Sequence, residues 1–491
     1  MARGLRLSHL LLPLVAMAAC SGSTRETGLE RVRRTGVLRW GGDIQGGEPY
    51  VYEDPEHAGN LIGFEVDIAA ALARKLGVRA EFVQNDWSNL IPSLERGTFD
   101  VALNGIEVTP QRAGRVLFTQ PYYVFGERLM ARRDDQRITG LESLRGKRVG
   151  TLNNSMAWEM LHAAGAEGVA YEGTQEPYID LEQHRTDAVL MDDIIADRYG
   201  VPRPALRVVG DVGTGYYAIA LQQGDEDLRE ALNVAIRDIA RSGELTRILE
   251  RGRVGSDRQG RLAGWSEADQ RLMMHAAPRA SLDGHRFVLF LGGALVTLLV
   301  SIGAMLLAIP FGMALALARR GRIKPLAWLA GAYVELFRGT PVLLQLYVLY
   351  YGIADIVRIN ALTAAVLGLG LNYAAYEAEV YRAGIQAVPP GQMEAATALG
   401  MSPWLAWRRV LIPQAFRLAL PGVTNDFIAL LKDSSLVSVI TVVELTKQMT
   451  IAAVDVRGWL VPGLLCAALY FAMSYPLSVF SRRLEARLAR S

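Results

Sequence analysis

Hydrophobic and polar positions divide the chain near residue 284. Before that point apolar residues come in short groups. Val37-Leu38-Arg39-Trp40 reads as a strand, Phe64, Ile68, Ala71, Leu72 and Leu76 recur at helical spacing before Gly77, and Glu81-Phe82-Val83 reads as the next strand. Trp87, Leu90, Ile91 and Leu94 mark a helix closed by Gly97, followed by the strand Val101-Ala102-Leu103. A second set runs from Lys147-Arg148-Val149 through Asp187-Ala188-Val189-Leu190. Strands alternating with short helices predict parallel sheets with crossovers, here two α/β lobes with a cleft between them. Ligands of such folds sit beyond the carboxyl ends of the strands. Segments 128–132 and 217–221 are expected to cross between the lobes as hinge strands. A helical pair, Asp227 to Ile239 and Glu244 to Leu249, ends a domain of residues 30–254, and the polar stretch 255–284 reads as a partly ordered linker.

After residue 284 the pattern becomes one of long uncharged runs, the sign of an all-α transmembrane domain over residues 285–491. Phe287 to Ala318 gives a first span, with Pro310 a kink or end. The second is expected over 339–354, the third over 361–383, the fourth from Ala415 and the fifth from Gly458. Arg319, Arg320, Arg322 and Lys324 follow the first span, and Arg482, Arg483, Arg487 and Arg490 follow the last. The positive-inside bias makes both groups cytoplasmic and puts the N-terminal domain on the other side.

The first residues fit that orientation. Arg3 and Arg6 precede the apolar run Leu10 to Ala19, far shorter than the roughly 20 residues a span needs, so residues 1–20 read as an export signal. Met17-Ala18-Ala19-Cys20 is similar to a lipoprotein signal box, which would make Cys20 an acylated first residue; plain cleavage and an uncleaved helix are the alternatives. Cys20 and Cys466 are the two cysteines of 491 residues and make neither a zinc spacing nor a disulfide framework. A net charge of +2 argues against a nucleic-acid partner. GxSxG and HExxH motifs are absent, the six histidines are scattered, and the stretch Gly140 to Arg148 departs from a phosphate loop, so neither catalysis nor ATP hydrolysis by the chain itself is expected. No cofactor or metal is called for.

One stretch between the third and fourth spans stands out, within residues 389–413. In EAATALGMSPWLAWRRVLIP, Glu394 to Pro413, an Ala-rich helix ends at Gly400 and a second begins at Ser402-Pro403. The arrangement of Glu394, Ala395, Ala396, Gly400 and Pro413 resembles the cytoplasmic coupling loop of ABC importer permeases, with Val410 and Ile412 where Ile and Leu are commoner. The resemblance implies docking to a separate ATPase subunit. One loop per ATPase subunit and a paired ATPase imply two permease domains, most simply a homodimer. The run Lys432 to Leu436 is also typical of amino-acid permeases. Lys432 and Asp433 would line the translocation path or gate, or sit at the outer interface where the helix ends.

The N-terminal half resembles the periplasmic polar amino-acid binding proteins over nearly its whole length. The likeness lies in GFEVDIAAALARKLG at 63–77, WSNLIPSLERGTFDVALNGIEVTPQR at 87–112, LRGKRVGTL at 144–152 and TDAVLMD at 186–192. It implies that Arg112 grips the ligand α-carboxylate, where a guanidinium can form two parallel charge-assisted bonds. Asp192 would receive the α-ammonium, Asp43 and Ser155 would belong to the pocket, and Asn104 and Gly105 would wrap the carboxylate. Glu107 departs from the pattern, which has a small hydroxyl residue there. It would accept an ammonium or guanidinium of the ligand, or else pair with Arg112 and weaken carboxylate capture. The aromatic usual after Asp43 is also missing. With Asp43, Glu48 and Glu107 around one cleft, the ligand leans towards a cationic amino acid.

Together these readings describe a binding protein fused to the permease of an ATP-driven polar amino-acid importer in a bacterial inner membrane. Its partners would be the amino acid, an ATPase, a second permease domain and lipid. Two rivals are a ligand-gated channel, which predicts a TVGYG-like filter not found here, and a dehydratase-like enzyme on the binding-protein fold, which gives no reason for the spans.

Overall fold

The structure, a computed structural model, describes residues 26–265, 283–321, 323–354, 356–456 and 458–488. The expected signal segment with Cys20, and residues 266–282 of the expected linker, lie outside the described residues.

In the first lobe, Val37–Gly42 lies between Arg79–Gln84 and Val101–Ala102, all parallel, and Ala220–Leu221 and Leu117–Phe118 extend the sheet antiparallel. Phe64–Leu76 covers this sheet with Phe64, Ile68, Ala71 and Leu72 buried, and Gly77 ends it in the left-handed region that glycine tolerates. The second lobe is mixed. Arg148–Leu152 runs parallel to Glu167–Tyr171 and Ala188–Asp192; beyond them Tyr123–Arg132 and Leu206–Tyr217 pair antiparallel.

The chain passes between the sheets at 119–122 and 218–219, and these passages bond to each other. Thr119 N donates to Ile219 O at 3.0 Å, and Tyr122 N to Tyr217 O at 3.0 Å. The segment 217–221 therefore contains one crossing as expected, whereas 128–132 does not contain the other. That segment belongs wholly to the second lobe, because strands on both sides hold Tyr123–Arg132 throughout.

Part of the expected linker is also packed. Residues Asp257–Gly264 form a 3-10 helix whose Arg258 pairs with Asp193 and Asp211 and whose Gln259 bonds both the N–H and the C=O of Val124. Two ion pairs to the second lobe fix a stretch that its polar composition marked as loose.

In the membrane domain, Gly284–Arg320 lies along Ala361–Ala387 on small residues. A Cβ added at Gly312 would come within 2.6 Å of the Glu377 Cβ, and one at Gly370 within 2.7 Å of Leu307. Such close helix approach is how spans pack without a hydrophobic driving force. Among the described residues, Gly284–Arg320 and Leu460–Arg483 are long and apolar enough to cross a membrane. Ala361–Ala387 and Ile412–Asp433 are also long, at 27 and 22 residues, but carry charges. The expected span 339–354 is not continuous. Thr340 and Pro341 break the chain after Lys324–Gly339, and Val342–Tyr347 continues as a π turn over Val348–Gly352, about three turns in all.

That short helix meets the binding domain. Tyr350 donates its hydroxyl to Asp180 Oδ2 at 2.9 Å, and Arg185 donates to the Tyr350 carbonyl at 3.1 Å while its guanidinium lies 4.0 Å from the ring centroid. A second contact joins Lys447 Nζ to Glu172 Oε1 at 2.9 Å.

Candidate functional site

A cavity lies between the lobes at the carboxyl ends of Val37–Gly42 and Ala188–Asp192. It encloses about 470 Å³, its open mouth included, and among its lining residues are Asp43, Tyr50, Asn104, Gly105, Glu107, Glu172 and Asp192. Among the described residues no Lys or Arg lines it, although Arg112 and Lys447 reach two of its acids from outside.

Each carboxylate is set by its own element. Asp43 follows the first strand and caps the short turn Ile44–Gly46, accepting from Gln45 N at 2.9 Å, Trp87 N at 2.8 Å and Gln84 Nε2 at 3.1 Å. Asp192 ends its strand directly opposite Glu127 and accepts from the Tyr217 hydroxyl, which is 3.0 Å from that of Tyr50. Asn104 accepts from Asp43 N at 2.9 Å, and Gly105 donates its N–H to Glu65 at 2.6 Å. Gly105 has φ +58, and a Cβ there would come within 3.0 Å of the Tyr50 ring, so this backbone position requires glycine.

Glu107 and Arg112 bridge the lobes together. Arg112 Nη1 donates to Glu107 Oε2 at 3.2 Å and to its carbonyl at 3.0 Å, and Nη2 donates to Asn154 O of the second lobe at 2.6 Å. Met156 N, at the start of the helix Met156–Ala164, donates to Glu107 Oε2 at 2.8 Å. Trp87 Nε1 closes a third bridge to Asn153 O at 3.1 Å. Asn154 is left-handed at φ 62, a conformation asparagine bears better than most residues.

Of the residues the sequence singled out, Asp43, Asn104, Gly105, Glu107 and Asp192 come together in the cavity wall. Arg112 lies in an adjoining cleft with Trp87, Asn154 and Trp459 of the membrane domain, its guanidinium 5.2 Å from the Trp87 ring centroid. Ser155 does not line the cavity, because its hydroxyl caps Met156–Ala164 by accepting from Trp158 N at 3.1 Å. Glu48 is not in the wall either; it pairs with Arg198 in a separate cleft.

Sequence reasoning missed Glu65, Glu127 and Glu172. Glu65 is buried and holds Gly105 and the Tyr122 hydroxyl; its place on the Phe64, Ile68, Leu72 face was the available signal. Glu127 is wholly buried in the strand Tyr123–Arg132, opposite Asp192. Glu172 follows the strand Glu167–Tyr171, and nothing local marks it.

Burial dominates the electrostatics. It raises Glu107 to about 7 against the opposing pull of Arg112, and Glu65 to about 7 against the Tyr122 and Gly105 hydrogen bonds. Burial, reinforced by Glu107, holds Asp192 and Glu127 well above the carboxylate range. This cluster of acids favours a cation among them.

At the far end of the membrane domain, Pro390–Ala398 and Pro403–Ala406 form the expected pair of helices. Gly400 turns between them at φ +79, and Ser402 caps the second by accepting from Leu405 N at 3.4 Å. Glu394, Ala395 and Gly400 are exposed, Ala396 is buried, and Pro413 opens the helix Ile412–Asp433. Leu399 and Trp404 are 80% and 71% exposed, while Leu411 and Trp407 pack with Leu317 near Arg320. Lys432 and Asp433 are at the other end of that helix, where Lys432 is exposed and Asp433 accepts from Tyr373 at 2.7 Å. A lysine there complements the helix C-terminus.

Comparison with known proteins covers both halves. Residues 39–251 match the family described as bacterial extracellular solute-binding proteins, family 3, and residues 308–490 the binding-protein-dependent transport system inner membrane component. The probable amino-acid permease protein YxeN of Bacillus subtilis (strain 168) is 37% identical over 199 residues, 40% of this chain and 89% of the relative. The arginine transport system permease protein ArtQ of the same organism is 33% identical over 200 residues, 40% of this chain and 91% of its own. A solved ancestral arginine-binding protein bound to arginine is 31% identical, covering 44% of this chain and 97% of that one, with a TM-score of 0.41.

Proposed function

Since the chain belongs to the amino-acid ABC importers, with a family 3 solute-binding domain fused ahead of an inner-membrane permease component, we propose that its cleft captures a cationic amino acid for import through its own membrane domain. The observation that carries the choice of ligand is the cavity wall, in which Asp43, Glu107, Glu172 and Asp192 stand with no lysine or arginine among the described lining residues; Arg112 and Lys447 reach Glu107 and Glu172 from outside it. Asp192 receives the α-ammonium, and Arg112 meets the α-carboxylate from the adjoining cleft. Glu107 and Glu172 both face the distal cation. ArtQ, a relative of the membrane half, is named for arginine transport.

The binding domain sits outside the cytoplasm, delivered by the signal segment 1–20, with Cys20 a candidate acyl anchor. The membrane domain crosses about five times, which brings the exposed Leu399 and Trp404 to the cytoplasmic side for a separate ATPase. Two copies of the chain would serve a paired ATPase. The test is ATP-dependent accumulation of radiolabelled L-arginine by proteoliposomes holding the full chain and an ABC ATPase subunit. Accumulation without ATP, or none with it, would overturn this reading.

A further inference from the structure

Glu172 belongs to two sites at once. It lines the cavity between the lobes, and its Oε1 is 2.9 Å from Nζ of Lys447 in the membrane domain. The lysine is the more confined partner, its side chain 5% exposed against 44% for the glutamate. Its backbone is fixed as well. Lys447 lies in the first turn of Leu445–Asp455, where Glu444 accepts from Lys447 N at 2.7 Å and Thr446 N at 2.8 Å, and where Tyr470 donates to Glu444 at 2.9 Å. A cation in the first turn of a helix is opposed by the helix dipole and needs an anion. Among the described residues the ion-pair partner of Lys447 is Glu172, on the other domain.

We propose that Lys447 is a built-in competitor for the ligand, taking Glu172 from the distal cation of a bound amino acid when the binding domain docks, and so promoting unloading into the membrane domain. The proposal rests on the reading of the cleft as a cationic amino-acid site. Release becomes selective by charge: a ligand whose distal group is neutral makes no ion pair with Glu172 and gains nothing from the lysine. No bond is made or broken, and one ion pair exchanges for another.

The test uses the full chain in lipid nanodiscs, loaded with tritiated L-arginine or L-glutamine and chased with unlabelled amino acid. Lys447→Gln is expected to slow arginine dissociation about tenfold and leave glutamine dissociation unchanged, a difference within the range of close interfacial charge pairs. Lys447→Arg should behave as the unmodified chain. With Glu172→Gln in place, Lys447→Gln should have no further effect. An unchanged arginine rate in Lys447→Gln, or an equal change for both amino acids, would overturn the competitor role and leave Lys447 a docking contact. Failure of the unmodified chain to retain either amino acid would overturn the reading of the cleft and this proposal with it.

Discussion

Tyr350 of the membrane domain and Asp180 of the binding domain share a hydrogen bond of 2.9 Å in which the acceptor is 1% exposed. Asp180 also accepts from Tyr171 at 2.7 Å and Arg185 at 2.9 Å, so its charge is balanced before the membrane domain arrives. Tyr350→Phe should cost about 1.5–3 kcal/mol of docking, the loss of one bond to a charged acceptor. Arg185→Ala should destabilise the binding domain itself by about 3 kcal/mol or more, since it leaves a buried carboxylate without its cation. Hydrogen–deuterium exchange over residues 176–187 of the full chain checks both, and equal protection in all three proteins would contradict the contact.

Glu65 supports the cavity from behind. Glu65→Ala removes the acceptor for Gly105 N and the Tyr122 hydroxyl, both buried, and should destabilise the first lobe by about 3 kcal/mol. Urea unfolding followed by tryptophan fluorescence, with Trp40 in that lobe's core, measures it.

The acids of the cleft set a pH dependence. Glu107 is raised to about 7 by burial, so its protonated form contributes to the stability of the fold; that contribution is complete below its ordinary range and is lost as pH rises through about 7. A ligand cation prefers the ionised form and reverses the sign. L-arginine should bind about tenfold tighter at about pH 8 than at about pH 5.5, and Glu107→Gln should flatten the profile.

The loop between residues 389 and 413 separates binding from transport. Leu399→Ser and Trp404→Ser are exposed changes that should alter stability by about 0.5 kcal/mol or less. Ligand binding should survive while ATP-dependent uptake falls. Loss of both together would show that the loop holds the fold.

Much of this architecture is legible in the chain because it is local. The periodicity from Phe64 to Leu76 and its closing Gly77 mark a helix, and Gly400 with Ser402-Pro403 marks the turn of the loop. What escapes is made by tertiary contact. Glu172 looks like any loop acid until Lys447, 275 residues away, is folded against it. Arg258 reads as linker until Asp193 and Asp211 hold it. The apolar run 339–354 reads as a span because hydropathy does not register that Thr340 and Pro341 end one helix and begin another. Glu107 left two readings open, and the Arg112 pair shows that one of them is present in the fold.

The most direct measurement is calorimetric titration of the full chain in nanodiscs with L-arginine, L-lysine, L-glutamine and L-glutamate, beside Arg112→Ala. The acidic cavity predicts that arginine or lysine binds tightest, that glutamate binds weakest, and that Arg112→Ala loses about 100-fold or more, as for a charge-paired anchor. Arginine binding indifferent to Arg112 would contradict its role at the α-carboxylate, and tightest binding of glutamate would contradict the assignment of this cleft to a cationic amino acid.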